Sequence, residues 1–327
     1  MFLLQFLPIL MAAAALMGAV SAKVWNVGSE VLVAGPVGTF DSVAVKDPSI
    51  VRYQDRWHMF YTARDRDDYT LGYISAPDLN DFTRARRHAL KQLHSAKSKY
   101  AAAPQVFYFR PHQKWYLIFQ TSDSNYLPVF STTEDIRDPT SWTQAKPLVN
   151  KKDNGKWIDF WVICDDRFAY LFFTRDHKDV VVMTTKLEDF PNGFSNLRTV
   201  FSPIHEAVHV YSIRGSRPSY AMIYEQRDGE RRRFGLARAG SLSGPWAVDN
   251  ENFATGEGLR YTPKKPRWTD EVSHGEMLRT GWDERLQIAS DRWQFLIQGM
   301  PREEHRGEYV LLPWRLGLIH SVTATRD

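Results

Sequence analysis

The chain has 327 residues, of which 43% are hydrophobic and 13% aromatic, so it is not a disordered polypeptide. Lys and Arg exceed Asp and Glu by 42 to 38, and a net charge of +4 this dispersed does not suit nucleic acid as a partner. Cys164 is the one cysteine, so no internal disulfide can form and stability must come from a large core.

The first 22 residues read as a signal peptide. Met1 to Ala19 carries no charge, and Val20-Ser21-Ala22 is the small-residue pattern found before cleavage sites. A lysine or arginine near the start is missing, which leaves an N-terminal membrane anchor as the alternative, although the apolar stretch is short and poorly flanked for a span. Residues 23–327 are then expected to form a single exported domain, extracellular or periplasmic, monomeric and without membrane attachment once the signal is removed. No later stretch approaches 18 consecutive apolar residues.

The remaining chain is a series of short strand-forming runs. Trp57-His58-Met59-Phe60-Tyr61, Trp115-Tyr116-Leu117-Ile118-Phe119, Tyr170-Leu171-Phe172-Phe173, Tyr220-Ala221-Met222-Ile223-Tyr224 and Trp293-Gln294-Phe295-Leu296-Ile297 recur at 50 to 73 residues. Each follows a shorter strand and a polar turn, such as Tyr53-Gln54-Asp55-Arg56 or Asp165-Asp166-Arg167. Five such hairpins predict an all-β, five-bladed β-propeller. A β-sandwich also uses many short strands and is the alternative. Cys164, in the run Phe160-Trp161-Val162-Ile163, is expected to be a buried, inert thiol. Arg231-Arg232-Arg233 and Lys264-Lys265 are expected to be solvated loop charge.

In a propeller the first strand of each blade lines the central channel. Asp47, Asp159 and Glu206 stand at the starts of three of these strands, each followed at once by strand-forming residues. Converging carboxylates are costly, because like charges in a confined site oppose ionisation, and such clusters are kept for function. Glycoside hydrolysis is the chemistry that wants them: one acid protonates the leaving oxygen, another activates water or attacks the sugar, and a third can bias the proton. His205-Glu206-Ala207-Val208-His209 also fits the zinc-protease pattern, but that pattern needs a helix. Val210-Tyr211-Ser212-Ile213 after it reads as strand, which puts the two histidines about 13 Å apart at about 3.3 Å per residue.

These residues carry a family resemblance over about residues 25–319. Val45-Lys46-Asp47-Pro48-Ser49, Ile158-Asp159 with Asp165-Asp166, Glu206-Ala207-Val208-His209-Val210-Tyr211, Trp268-Thr269-Asp270-Glu271-Val272-Ser273-His274-Gly275-Glu276 and Tyr309-Val310-Leu311-Leu312-Pro313-Trp314-Arg315 resemble, in order and spacing, the α-L-arabinofuranosidases of glycoside hydrolase family 62. The resemblance implies a five-bladed propeller and an inverting mechanism. It implies that Asp47 is the general base, that Glu206 is the general acid, and that Asp159 orients Glu206 and raises its pKa. It further implies that Lys46, Tyr309 and Arg315 contact the sugar, and that His274 lies near a channel ion, often calcium, with no organic cofactor. Its expected substrate is arabinoxylan or another arabinose-bearing polysaccharide. The chain departs from the pattern at His205, where the family has an aromatic residue, at Thr121, where it has a tryptophan platform for xylan, and at Val310, where it has asparagine. The three acids are intact, so arabinofuranoside cleavage is better supported than xylan as the polymer. A non-catalytic carbohydrate-binding propeller and a family-43-like enzyme acting on xylosides or arabinan remain the alternatives.

Overall fold

A computed structural model of the chain describes residues 23–150, 153–263 and 266–322. The signal-peptide segment and Lys264-Lys265 lie outside the described residues. Five mainly antiparallel sheets radiate from a common channel. Blade one starts with Ala44–Tyr53 and Arg56–Arg64, blade two with Ala101–Phe109 and Lys114–Thr121, and blade three with Trp157–Cys164 and Phe168–Arg175. Blade four starts with Glu206–Ile213 and Tyr220–Asp228. The predicted propeller is therefore the fold.

Blade five closes the ring. It runs from Ser273–Met277 through Gln294–Gly299 to Arg315–Ser321 and then takes the N-terminal strand Trp25–Leu32 as its fourth, antiparallel to Arg315–Ser321. The first and last strands among the described residues thus share one sheet, which closes the ring. The segment between Ser273–Met277 and Gln294–Gly299 has a structural use. Gln287–Ile288 within it pairs in parallel with Ser212 and Ile213 and so ties blade five to blade four.

The inner hairpins are buried on both faces because neighbouring blades cover them, which is why their sequences read as continuous apolar runs rather than alternating ones. Ala169 to Phe173 is buried at every position. Trp25, Trp115, Trp157, Trp161 and Trp314 are enclosed. Cys164 is buried among them, and desolvation pushes its thiol well above the usual range, as expected of an inert residue.

Hydrogen bonds lock the seams between inner strands. Gln105 exchanges two 2.7 Å bonds with the Val162 backbone, Trp161 Nε1 donates to the Val210 carbonyl at 2.7 Å, and the Met277 amide donates to Tyr211 at 3.1 Å. Deep in the channel the guanidinium of Arg279 pairs with Glu276 and donates to the carbonyls of Ile50 and Val106. These bonds span four seams and hold the strand ends in fixed relation.

Candidate active site

Every inner hairpin has a register slip near the start of its first strand. The slips fall between Lys46 and Ser49, Ala102 and Gln105, Ile158 and Trp161, Glu206 and His209, and Ser273 and Gly275. Each inserts one extra residue, a β-bulge that bends the strand and re-aims a side chain. At four of the bulges the inserted residue has a left-handed backbone: Asp47, Ala103, Asp159 and Ala207 have φ of 45°, 52°, 58° and 53°. A non-glycine residue there costs of order 1 kcal/mol or more. The repeat of that cost marks one end of the channel as the place where the fold spends strain.

The bulges also refine the sequence alignment of the acids. Asp47 and Asp159 are both bulge residues, but the bulge residue of blade four is Ala207, and Glu206 occupies the register position of Lys46, one residue earlier. The three acids are not equivalent, yet they converge. Asp47, Asp159 and Glu206 line one cavity of about 600 Å³, together with Lys46, His177, His274, Tyr309 and Val310.

The two aspartates share a histidine. His274 Nδ1 lies 3.4 Å from Asp47 Oδ1 and 4.0 Å from Asp159 Oδ1. Asp47 is held through its backbone amide, which donates to Gln298 Oε1 at 3.0 Å. Asp159 Oδ2 accepts the Ala207 amide at 2.9 Å, so blade three's acid is fixed to the bulge that presents blade four's. Burial raises the Asp159 carboxyl to about 6, with His274 opposing the rise and the charges of Glu206 and Asp47 adding to it.

Glu206 has different company. Burial works to raise its pKa, but the close approach of His177 and the charge and hydrogen bond of Arg232 outweigh it and hold the carboxyl well below the usual range. The expected direction, Asp159 pushing Glu206 up, is reversed in the open pocket because His177 and Arg232 both act on the acid. Arg232 donates to Glu206 Oε1 and to Glu225 Oε1, and Glu225 is anchored by the Ser273 hydroxyl at 2.8 Å and the His274 amide at 2.9 Å. Arg232 is buried within the strand Arg231–Ala239, contrary to its expected place in a solvated basic loop. Strand alternation carries the signal: Arg231 and Arg233 face outward of Arg232, and only the middle residue is enclosed.

His177 reaches Glu206 from the tip of a hairpin whose Asp176 and His177 both take left-handed angles, 58° and 50°. Lys156 Nζ lies 3.0 Å from His177 Nε2, and His177 Nδ1 faces Glu206 Oε2 at 3.5 Å. His205 Nε2 stands 3.8 Å from the same oxygen. His209, the other histidine of the zinc-like pattern, is in the strand Glu206–Ile213 as expected. It stacks on Trp161 at 4.0 Å, and burial keeps it neutral.

Of the other expected contacts, Lys46 and Tyr309 are at the cavity and Arg315 is not. Lys46 Nζ donates to the Tyr309 hydroxyl at 3.3 Å and lies over the rings of Tyr69 and Tyr309. Burial opposes its charge, but Tyr309, Asp47 and Tyr69 more than restore it. Arg315 is corrected to a structural role: it pairs with Glu30 and Glu304 and is absent from the cavity wall. Thr121 is buried beside the cavity, its hydroxyl 3.0 Å from Ser98 Oγ. Aromatic surface is supplied instead by Tyr69, Tyr100 and Tyr126, in successive contact at 5.6 and 5.3 Å. No run of sequence announced this wall, because its three members are distant in the chain and each is an ordinary tyrosine.

A family model for glycosyl hydrolase family 62 matches residues 28–320. The chain belongs to glycoside hydrolase family 62. Alpha-L-arabinofuranosidase C of Cellvibrio japonicus (strain Ueda107) is 36% identical over 289 residues, 85% of this chain and 44% of that protein, so the chain spans less than half the length of this curated relative. The catalytic domain of the Coprinopsis cinerea family 62 α-L-arabinofuranosidase superposes with a TM-score of 0.84 at 31% identity, covering 93% of this chain and 98% of that one. A family 62 hydrolase in complex with xylotriose gives 0.82 at 29% identity, covering 92% and 97%.

Proposed function

We propose that the cavity is the catalytic centre of an inverting α-L-arabinofuranosidase that removes arabinose side chains from arabinoxylan or a related polysaccharide. The observation that carries this reading is the meeting of Asp47, Asp159 and Glu206, from three blades, in one cavity sized for a monosaccharide and its leaving group. Family membership and the relative bound to xylotriose support a xylan-type backbone.

In the proposed reaction Asp47 is the base. It lies beside Lys46 and His274 and takes a proton from a water that attacks the anomeric carbon. Glu206 is the acid and gives its proton to the departing oxygen, which leaves as an alcohol. Inversion needs the two carboxyls about 6.5–9.5 Å apart, so that the water fits between base and sugar. Asp159 orients the acid half through Ala207. Its raised pKa keeps a proton in the site near mildly acidic pH. Lys46 and Tyr309 hold sugar hydroxyls.

Calcium beside His274 is proposed only as a water-rich site. One imidazole and the oxygens of Asp47 and Asp159 fall short of the six to eight oxygens calcium takes. The carbonyls of Ile50 and Val106 deeper in the channel are already taken by Arg279. Such an ion would supply fixed positive charge, and no step runs through it. Export through removal of residues 1–22 is likewise proposed, and the N-terminal sequence of secreted protein tests it.

The deciding experiment follows arabinose release from arabinoxylan by proton NMR. The β-anomer is expected first. Appearance of the α-anomer first would overturn inversion, and failure to release arabinose from arabinoxylan, arabinan and aryl arabinofuranosides would favour a binding protein.

A further inference from the structure

The zinc-like sequence pattern fails as read, because its second histidine is committed to the channel wall. The structure supplies another imidazole in its place. His177, from the blade-three hairpin, and His205, preceding the inner strand of blade four, both face Oε2 of Glu206 at 3.5 and 3.8 Å. Their rings are stacked with centroids 5.1 Å apart. Among the described residues these three are the group of side chains whose ligating atoms all lie within 4.8 Å of one another. We propose that His177, His205 and Glu206 form an inhibitory site for a zinc-class transition-metal ion, which closes the enzyme by occupying its proton donor.

The chemistry favours zinc over calcium or magnesium. Two imidazoles and one carboxylate are a borderline-soft, nitrogen-rich set, and water would complete a tetrahedron. Bonds of about 2.0–2.1 Å in a tetrahedron put ligand atoms about 3.3 Å apart. The two histidine–glutamate distances are already close to that, and only the histidine–histidine gap must narrow. The carboxylate is divided for the purpose: Arg232 occupies Oε1, which leaves Oε2 to the metal. His177 must present a bare Nδ1. The exposed Lys156 ammonium must then swing away from Nε2. Both histidine side chains are partly exposed, and His177 Nδ1 itself is buried, without a hydrogen-bond partner and aimed at Glu206 Oε2. A metal on Oε2 takes the lone pair that must carry the catalytic proton, and this predicts loss of activity.

The inhibition half of this proposal rests on Glu206 being the acid, while the binding half does not, and the test separates them. Metal-stripped full-length protein without a histidine tag is titrated with zinc chloride by calorimetry, and the rate on an aryl arabinofuranoside is measured in parallel. One zinc per chain and at least tenfold inhibition, reversed by EDTA, are expected, with calcium and magnesium inert. His205→Phe should weaken both zinc binding and inhibition at least tenfold, each rate being referred to that variant's own zinc-free value. His205→Gln provides the same comparison should the phenylalanine variant not fold. Equal zinc affinity in wild type and the His205 variants overturns the site. Binding that depends on His205 but leaves the rate unchanged upholds the metal site and removes Glu206 from the chemistry.

Discussion

The two halves of the cavity are built on opposite principles. On the side of Asp47 and Asp159, carboxylates are presented by strained bulges, and their nearest titratable neighbour is the shared His274. On the side of Glu206, the carboxylate leaves an ordinary strand position and is gripped by Arg232, His177 and His205. Desolvation raises Asp159 in the first half, and ion pairing depresses Glu206 in the second. The lesson is that position along a blade does not set the protonation state of these acids. Neighbours brought from adjacent blades and hairpins do. The proposed general acid, depressed in the open pocket, must gain its proton as substrate replaces water.

The comparison breaks most visibly by removing each half's principal acid. Asp47→Asn and Glu206→Gln should each cost on the order of 10²–10⁴-fold in kcat/KM on arabinoxylan, the range of general base or acid catalysis. They should part company on an aryl arabinofuranoside with a good leaving group. The Glu206 variant should recover much of its loss, because such a leaving group needs no proton, and the Asp47 variant should not. Equal recovery by both would mean that the two halves are assigned wrongly.

The grip on Glu206 can be loosened next. Arg232→Gln leaves Glu225 buried without its cation, and a broken buried pair costs about 3–5 kcal/mol. The same change removes one of the influences that depress Glu206, so its pKa should rise. In the free enzyme the pH profile of kcat/KM reports the acid, so the limb set by Glu206 should move to higher pH in the variant. A limb that stays in place would show that Arg232 does not set the acid's proton affinity. Denaturant unfolding and a pH–rate profile on the same preparation read the two effects separately.

Much of the fold was legible because a blade repeats. Five apolar hairpin runs at similar spacing carry enough period to fix the propeller, and Asp47, Asp159 and Glu206 stood out as acids before strands. What stayed hidden depends on register and on contacts between blades. The one-residue offset of Glu206 from the two aspartates follows from where each bulge falls, and nothing in the sequence marks that. Arg232 looked like one of three surface charges, and only pairing with its neighbours in the sheet shows the middle one turned inward. Arg315 erred the other way: a residue in a matching motif proved to pin Glu30 and Glu304. His177 lies in a two-residue left-handed turn that no pattern reserves for function.

The smallest expected effect sharpens the comparison from the aspartate side. Asp159 is raised to about 6 in the folded protein, against about 3.9 for an unperturbed aspartate. A raised carboxyl binds its proton more tightly folded than unfolded, so its contribution to stability is fully present below about pH 4 and is lost as the pH rises through about 6. At neutral pH the enzyme carries a buried, ionised Asp159 that costs stability, on the order of 2–3 kcal/mol relative to its protonated form. Asp159→Asn cannot titrate and should escape that cost. The variant's melting temperature relative to wild type should therefore climb by a few degrees between pH 4 and pH 7, even as its activity falls. A difference that stays constant across that window would mean that desolvation does not dominate at Asp159, and the contrast between the two halves of the cavity would then lose its physical basis.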